Sequence, residues 1–489
     1  MFQNDRQKFG NPFFLPPAIR ALEGEGEEGR VYGAFEVPSL SEEGMQVDPD
    51  DIAESATFEC VDMSWFHRNQ RPEVEWLDVF RDAPLSILQL DSFPMPPLPP
   101  QSVPGDIVWF EFGYSPAGVG ESNGRIYKNL FSEGTSVRIN YYEPREPAQF
   151  PGNGPFGLKG WLDTSYVSHW GSVPRGPGPR LQKFLAEAHE SAGVAVYDVG
   201  QGSCQALIDK KLHIPLIYVD FGGGVKGNSK TFPEALRGFC LTYEPPVVLT
   251  HWDYDHWSSA LRFPRALNTE WFAPMPPGMP IQRAFAAELH IRHNLYLWPE
   301  GSVPLIRGKN VLLERCTGTG TNDSGIAATF YATKLRRRNC LIPGDADYRY
   351  IPSVIAKERF NSLCLTHHGG RLHSKYYPIP KRGATSANSS GPRNSYKHPL
   401  FNSLTKHFDS GWGAPAQTGF SGQRPCHVLL PWGKQSLLFQ GGCHGGECSV
   451  APTKMAPTST NAIKWAIPLD EKSPKIIETD MMWLTHAIP

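Results

Sequence analysis

The sequence predicts a mixed α/β fold, of the α+β kind, behind a mostly β accessory region. Two patterns predict it. From Gly193 to about residue 400, short apolar runs ending in Gly, Asp or His alternate with helical stretches such as Ile281–Asn294 and Ile351–Phe360. Before residue 180, turn clusters such as Pro96-Pro97-Leu98-Pro99-Pro100 and Pro174–Pro179 separate short β-like runs such as Ile107–Phe112. Aromatic residues are frequent in that first region, which sets it apart from disordered chain.

At 489 residues the chain exceeds one ordinary hydrophobic core. Residues 1–180 form the accessory β domain in this reading. A helix is expected over Leu181–Ala192, with Leu181, Leu185 and Ala188 on one face and Gly193 as its stop. Residues 193–435 form the α/β domain, with a helical stretch near Leu400–His407 and a β run at His427–Pro431. Residues 436–489 are expected as an extension packed on it, opening with a β run at Ser436–Phe439. No solenoid or propeller repeat is present.

Charge is balanced, with 47 basic and 49 acidic side chains, which argues against a surface coated for non-specific nucleic-acid binding. The amino terminus lacks the apolar core of a secretory signal, and no apolar stretch reaches the roughly 20 residues needed to cross a bilayer. Nine cysteines, an odd number, fit a reducing compartment. The expectation is therefore a cytoplasmic protein with no membrane partner. Cys426-His427 and Cys443-His444 with Cys448 do not match common zinc spacings and read as free thiols.

The chemistry concentrates in four segments. They are Tyr197-Asp198-Val199-Gly200-Gln201-Gly202, His251-Trp252-Asp253-Tyr254-Asp255-His256, Pro343-Gly344-Asp345 and Thr366-His367-His368-Gly369-Gly370. Pro246-Val247-Val248-Leu249-Thr250 runs directly into the second, so a buried strand delivers four metal-capable side chains at its carboxyl end. The last two segments repeat the design. Several strands ending in Asp or His can converge their ligands on one edge, as a hydrolytic metal centre requires. Gly222-Gly223-Gly224 resembles a phosphate cradle but lacks the Lys-Ser or Lys-Thr of a P-loop, and reads as a tight turn under the metal site.

With these residues in this order, the chain resembles the metallo-β-lactamase-fold hydrolases, and most closely the soluble hydrolase domain of ComEC-type DNA-uptake proteins. Asn394-Ser395-Tyr396-Lys397-His398-Pro399 is similar to a later element of that family, and Asn322-Asp323-Ser324-Gly325 to an Asn-x-x-Ser segment. The resemblance covers roughly residues 193–435 and implies a four-layer αββα sandwich. It departs at Ser203-Cys204, where the family carries Asp-Ala, at Trp257-Ser258-Ser259 in place of Gly-Gly, at Gly370 in place of Ser and at Lys397 in place of Gly. The membrane segments of an uptake channel are missing, so transport is not implied.

The resemblance implies two divalent ions, zinc or manganese. His251 and Asp253 can face one ion and Asp255 and His256 the other, with Asp345 bridging. His367 or His368 completes the second set; we take His367 as the ligand and His368, with Asp255 and His398, as catalytic. The family's third histidine upstream of Gly-Asp has no counterpart, leaving Asn322 or Asp323 for that place. Three carboxylates make a hard site in which manganese competes with zinc.

Such a centre suits phosphodiesters, by attack of a metal-activated hydroxide. From Arg359 to Lys406 the chain carries Lys and Arg without one Asp or Glu. Arg371, Lys375, Arg393 and Lys397 are therefore expected to bind an anionic backbone. The expectation is a phosphodiesterase, foremost a nuclease on DNA or RNA. Its alternatives are a hydrolase of a small phosphodiester, cyclic nucleotide or ester, and a catalytically weak scaffold on the same fold. The N-terminal domain is expected to serve a protein partner or oligomer, with bacterial antiviral defence as one setting.

Overall fold

The computed structural model describes residues 28–37, 56–68, 83–90, 102, 106–145, 167–276, 278–299, 301, 303–333, 338–419, 424–432 and 453–455. The first region contributes six strands: β1 (Gly29–Glu36), β2 (Thr57–Asp62), β3 (Leu85–Leu90), β4 (Ile107–Pro116), β5 (Gly124–Tyr127) and β6 (Thr135–Arg145). They close into a barrel in the order β1-β2-β3-β5-β6-β4, every neighbour antiparallel. Closure leaves no unpaired edge. The period of two along β4 shows how the barrel is filled: Val108, Phe110 and Phe112 enter its interior with Phe58, Leu88 and Ile126. Trp109, between them, points the other way and joins a core shared with the rest of the molecule.

That second part holds two sheets. Its strands are β7 (Ser191–Val196), β8 (Gln205–Asp209), β9 (Pro215–Val219), β10 (Val247–Val248), β11 (Trp271–Pro274), β12 (Leu295–Trp298), β13 (Leu305–Arg307), β14 (Val311–Arg315), β15 (Ile326–Tyr331), β16 (Asn339–Ile342), β17 (Arg359–Cys364), β18 (Ile379–Asn388), β19 (Ala416–Gln417), β20 (His427–Pro431) and β21 (Thr453–Met455). One sheet has the order β12-β11-β10-β9-β8-β7-β20-β21, the other β13-β14-β15-β16-β17-β18-β19. They meet over Val194, Val196, Leu207, Val219, Val248, Leu313, Ala328 and Ile342. The helix Pro280–Ile291 packs its Ile281, Phe285 and Leu289 into the core on the outer side of the first sheet. On the second sheet, Val354 from the turn Pro352–Ile355 and Leu404 from the helix Phe401–Asp409 join a separate cluster with Leu341 and Phe360.

Two helices are shorter than the apolar spacing predicts. The first covers Pro179–Ala186, not Leu181–Ala192. The Asn310 side chain takes both the N–H and the C=O of His189, and the chain turns there into β7. Gly193 lies inside that strand against the backbone of Leu430 instead of stopping a helix. The second is one turn, Pro352–Ile355, because Lys357 adopts φ +58° and sends residues 359–360 into β17. The helix expected over Ile281–Asn294 is seen at Pro280–Ile291. Ser436–Phe439 and the cysteines at 443 and 448 lie outside the described residues.

The barrel is joined to the two-sheet part through carboxylates. Glu59 in β2 is buried, accepts a hydrogen bond from Tyr254 Oη at 2.6 Å and accepts another from the backbone N–H of Ile281, at the start of its helix. Glu36, at the end of β1, accepts from the N–H and the hydroxyl of Thr321. No helix among the described residues is long and apolar enough to cross a membrane.

Candidate metal centre

The site forms where β10, β16 and β17 end. Strand β10 lies between β9 and β11 in parallel register, so its carboxyl end opens on the sheet edge that receives the loop His251–His256. One 3-10 turn, Tyr254–His256, folds that loop back and carries Asp255 and His256 to the same point. Two glycines make the crowding possible. A Cβ on Gly222 would strike the backbone of Asp255, and one on Gly344 would strike the Thr250 side chain, where Gly344 also holds φ +63°. Gly222–Gly224 is thus a close backbone approach beneath the loop.

Three imidazoles and two carboxylates converge there. Donor atoms of His251, His256 and Asp345 lie within 4.8 Å of one another, as do those of Asp255, His256 and His368. His256 Nε2 is 3.2 Å from Asp345 Oδ1, His368 Nε2 is 3.3 Å from Asp255 Oδ2 and 3.6 Å from Asp345 Oδ2, and His251 Nε2 is 3.8 Å from Asp345 Oδ2. All three imidazoles are buried. Each is held by its other nitrogen: His256 Nδ1 by Asp220 at 2.8 Å, His368 Nδ1 by the carbonyl of Ser389 at 2.9 Å and His251 Nδ1 by Thr250 Oγ1 at 3.0 Å. The inward Nε2 atoms of all three have no hydrogen-bond partner among the described residues, only the carboxylates at the distances above. Buried polar atoms are almost always partnered, so three such nitrogens facing the same carboxylates fit bound cations.

The electrostatics favour positive charge at that point. Burial opposes ionisation of Asp345, but His256, His368 and His367 outweigh it and hold the carboxyl well below the usual range. Asp255 is also held low, with His368 and His256 overcoming its burial. Burial works against charge on His256 and His368, yet the carboxylates raise both imidazoles above their ordinary values.

The two adjacent histidines are placed differently. His368 is buried and belongs to the group with Asp255 and His256. His367 is 38% exposed, with Nε2 4.0 Å from Asp345 Oδ2. Both hold left-handed backbone angles, φ +49° and +54°, which is what lets neighbouring side chains address different sides of one centre. Asp253 lies 3.5 Å from His251 Nε2 and is 42% exposed at its side chain. Asp323 accepts from the N–H of Asp347 and is in neither ligand group among the described residues. His398 is clamped by Asn394, which accepts from its N–H and donates to its C=O, and its ring centroid is 5.5 Å from that of His367. Burial, with His367 and His368 beside it, lowers His398 to about 3, so it is a neutral hydrogen-bonding ring at neutral pH.

Arg371, Lys375, Arg393 and Lys397 are exposed on the loops that follow His368 and flank His398. Lys334 and Arg336–Arg337 lie outside the described residues. Asp198, from the Asp-Val-Gly-Gln-Gly segment, stands apart from the centre: it is buried and paired with Arg424, and it accepts from the N–H of Cys426. Sequence reasoning missed Asp220, which holds His256 and Thr250 together. Its signal was the one used elsewhere, an apolar strand ending in an acid.

Beside the centre lies a cavity of about 230 Å³. Asp253, Asp255, Lys226 and Gln201 line it, together with Phe35, Glu36 and Thr57 of the barrel.

No protein-family model and no curated protein matches the chain. Among solved structures it is similar to MEM-A1, a subclass B3 metallo-β-lactamase from a soil metagenome library. That match has 15% identity and a TM-score of 0.24, and covers 38% of this chain and 81% of that one. A metallo-β-lactamase of Cronobacter sakazakii with a HARLDQ motif matches at 14% identity and a TM-score of 0.20, over 37% of this chain and 67% of that one.

Proposed function

We propose that the chain is a metal-dependent hydrolase of the metallo-β-lactamase fold, in its four-layer form, acting as a phosphodiesterase and foremost as a nuclease on DNA or RNA. The observation that carries this reading is the convergence of three buried, unpartnered imidazole nitrogens with the carboxylates of Asp255 and Asp345. His251, Asp253 and Asp345 would hold one divalent ion, and Asp255, His256, His368 and Asp345 a second, with His367 at the open side of Asp345. When bound, such a pair would lower the pKa of water and offset negative charge on the phosphoryl oxygens and the leaving oxygen.

The chain's own residues do the rest. Asp220, Thr250 and Ser389 fix the tautomer and direction of the three imidazoles. His398, neutral and clamped by Asn394, offers a ring nitrogen to a substrate oxygen rather than a proton to the leaving group. Asp255 holds charge at neutral pH and sits on the cavity side, where it can orient an attacking water. Arg371, Lys375, Arg393 and Lys397 supply positive charge for a polyanionic strand.

Carboxylate-rich ligation keeps both manganese and zinc as candidates. The second reading, hydrolysis of a small phosphodiester or cyclic nucleotide, has the size of the cavity, about 230 Å³, in its favour. The scaffold reading needs lost ligands, whereas the ligand set here is buried and oriented.

The test is cleavage of single- and double-stranded DNA and RNA by purified protein with manganese or zinc. Asp255→Ala and His256→Ala are expected to lose roughly a thousand-fold in rate. Wild-type rates in both variants would overturn the reading.

A further inference from the structure

Lys226 is a charge that the metal centre leaves over. It follows Gly222–Gly224 at φ +50°, a conformation non-glycine residues seldom adopt, and its N–H donates to the barrel carbonyl of Leu130 at 2.7 Å. The residue is only 9% exposed. Its ammonium lies over the Tyr254 ring, 5.2 Å from the centroid, and makes no hydrogen bond or ion pair among the described residues.

The nearby carboxylates are already engaged. Asp255 faces His368, Asp253 faces His251, Glu59 binds Tyr254 and the N–H of Ile281, and Glu36 binds Thr321. The side chain is buried along most of its length, and its ammonium, without an ion pair among the described residues, opens on the cavity that Asp255 also lines. Asn228, two residues on, accepts from the N–H of Ser395 at 2.6 Å, which ties the Lys226 turn to the loop carrying His398.

We propose that Lys226 binds the non-bridging phosphate oxygens of the substrate, in a cavity that barrel residues also line. The barrel is then part of the substrate site rather than an appendage. This rests on the phosphodiesterase reading and adds a residue and a domain to it. A point-charge ammonium suits a tetrahedral anion approached from one side.

Hydrolysis of bis(4-nitrophenyl) phosphate by manganese-loaded full-length protein tests it, comparing wild type, Lys226→Met and Lys226→Arg. Met is expected to raise KM by about 30-fold or more, with kcat changed less, and Arg to stay within about tenfold. Manganese content and Tm should match wild type in both. A Met variant with wild-type KM, or equal losses in Met and Arg, would overturn the assignment; Lys226→Gln replaces Met if that variant does not fold. Should wild type hydrolyse no phosphodiester, the functional reading fails by itself, and calorimetric titration with inorganic phosphate still decides the anion site. Binding that Met abolishes keeps it, and equal binding removes it.

Discussion

The metal loop and the basic segment stand side by side, yet they are built in opposite ways. In the loop His251–His256, both histidines are buried and each outward nitrogen is held by a side-chain oxygen. In the segment from Arg359 to Lys406, the charged groups expected to meet substrate are exposed on loops, two of them, Arg393 and Lys397, at positive φ. The loop's chemistry is therefore stated by unsatisfied atoms, which have few explanations. The segment's role is stated by charge alone, which has many. What is buried and incomplete points to a ligand more sharply than what is exposed and charged.

The largest effect expected from breaking this contrast, after loss of a ligand itself, is at Asp220. Asp220→Asn keeps the size but weakens the charge-assisted bond to His256, and metal affinity should fall by about 10- to 100-fold in a competition titration with a chromogenic chelator. An unchanged affinity would mean that His256 is oriented by packing alone. A smaller effect follows from replacing Arg371, Lys375, Arg393 and Lys397 together by Ala. KM for a DNA or RNA strand should rise, and the slope of log affinity against log salt should shrink by about 3 if all four meet phosphates. A slope equal to wild type would leave the segment an ordinary solvated loop.

The smallest effect is on stability. Burial pushes Glu59 up to about 8, against the hydrogen bonds from Tyr254 and the N–H of Ile281, compared with about 4.3 for an unfolded glutamate. The folded chain binds this proton more tightly than the unfolded one. Its contribution is fully present below about pH 4 and is lost as pH rises through about 8. Wild-type Tm should therefore fall between pH 5 and 8 more steeply than that of Glu59→Gln, measured by calorimetry in parallel buffers. Identical slopes would show that Glu59 does not set the pH response of the barrel contact.

Much of the centre was legible because the strand-then-ligand pattern is local. His251, Asp255, His256, Asp345 and the His367-His368 pair all follow apolar runs, and the structure gathers them at one sheet edge. What stayed hidden depends on backbone angles and long-range contact. Nothing in two adjacent histidines says which is buried, since that follows from paired left-handed φ values and the carbonyl of Ser389. Lys226 looked like one more residue after a glycine turn until Leu130 and Tyr254, from two different parts of the chain, enclosed it. Glu59 of the barrel reaches the loop at Tyr254 across 195 positions of sequence, a distance no motif spans.

Helix ends failed for the same reason. Asn310 holds His189, just past the end of the first helix, from 121 residues away, and Lys357 breaks the second by a conformation that its residue type does not announce.

The central claim is that His251, His256 and His368 aim their free nitrogens at bound cations. Elemental analysis of protein reconstituted with manganese or zinc and then desalted, for wild type beside Asp255→Ala and His256→Ala, tests it most directly. The account predicts two ions per wild-type chain and a clear loss in both variants. A wild-type chain that retains no ion, or variants that retain as many as wild type, would contradict it.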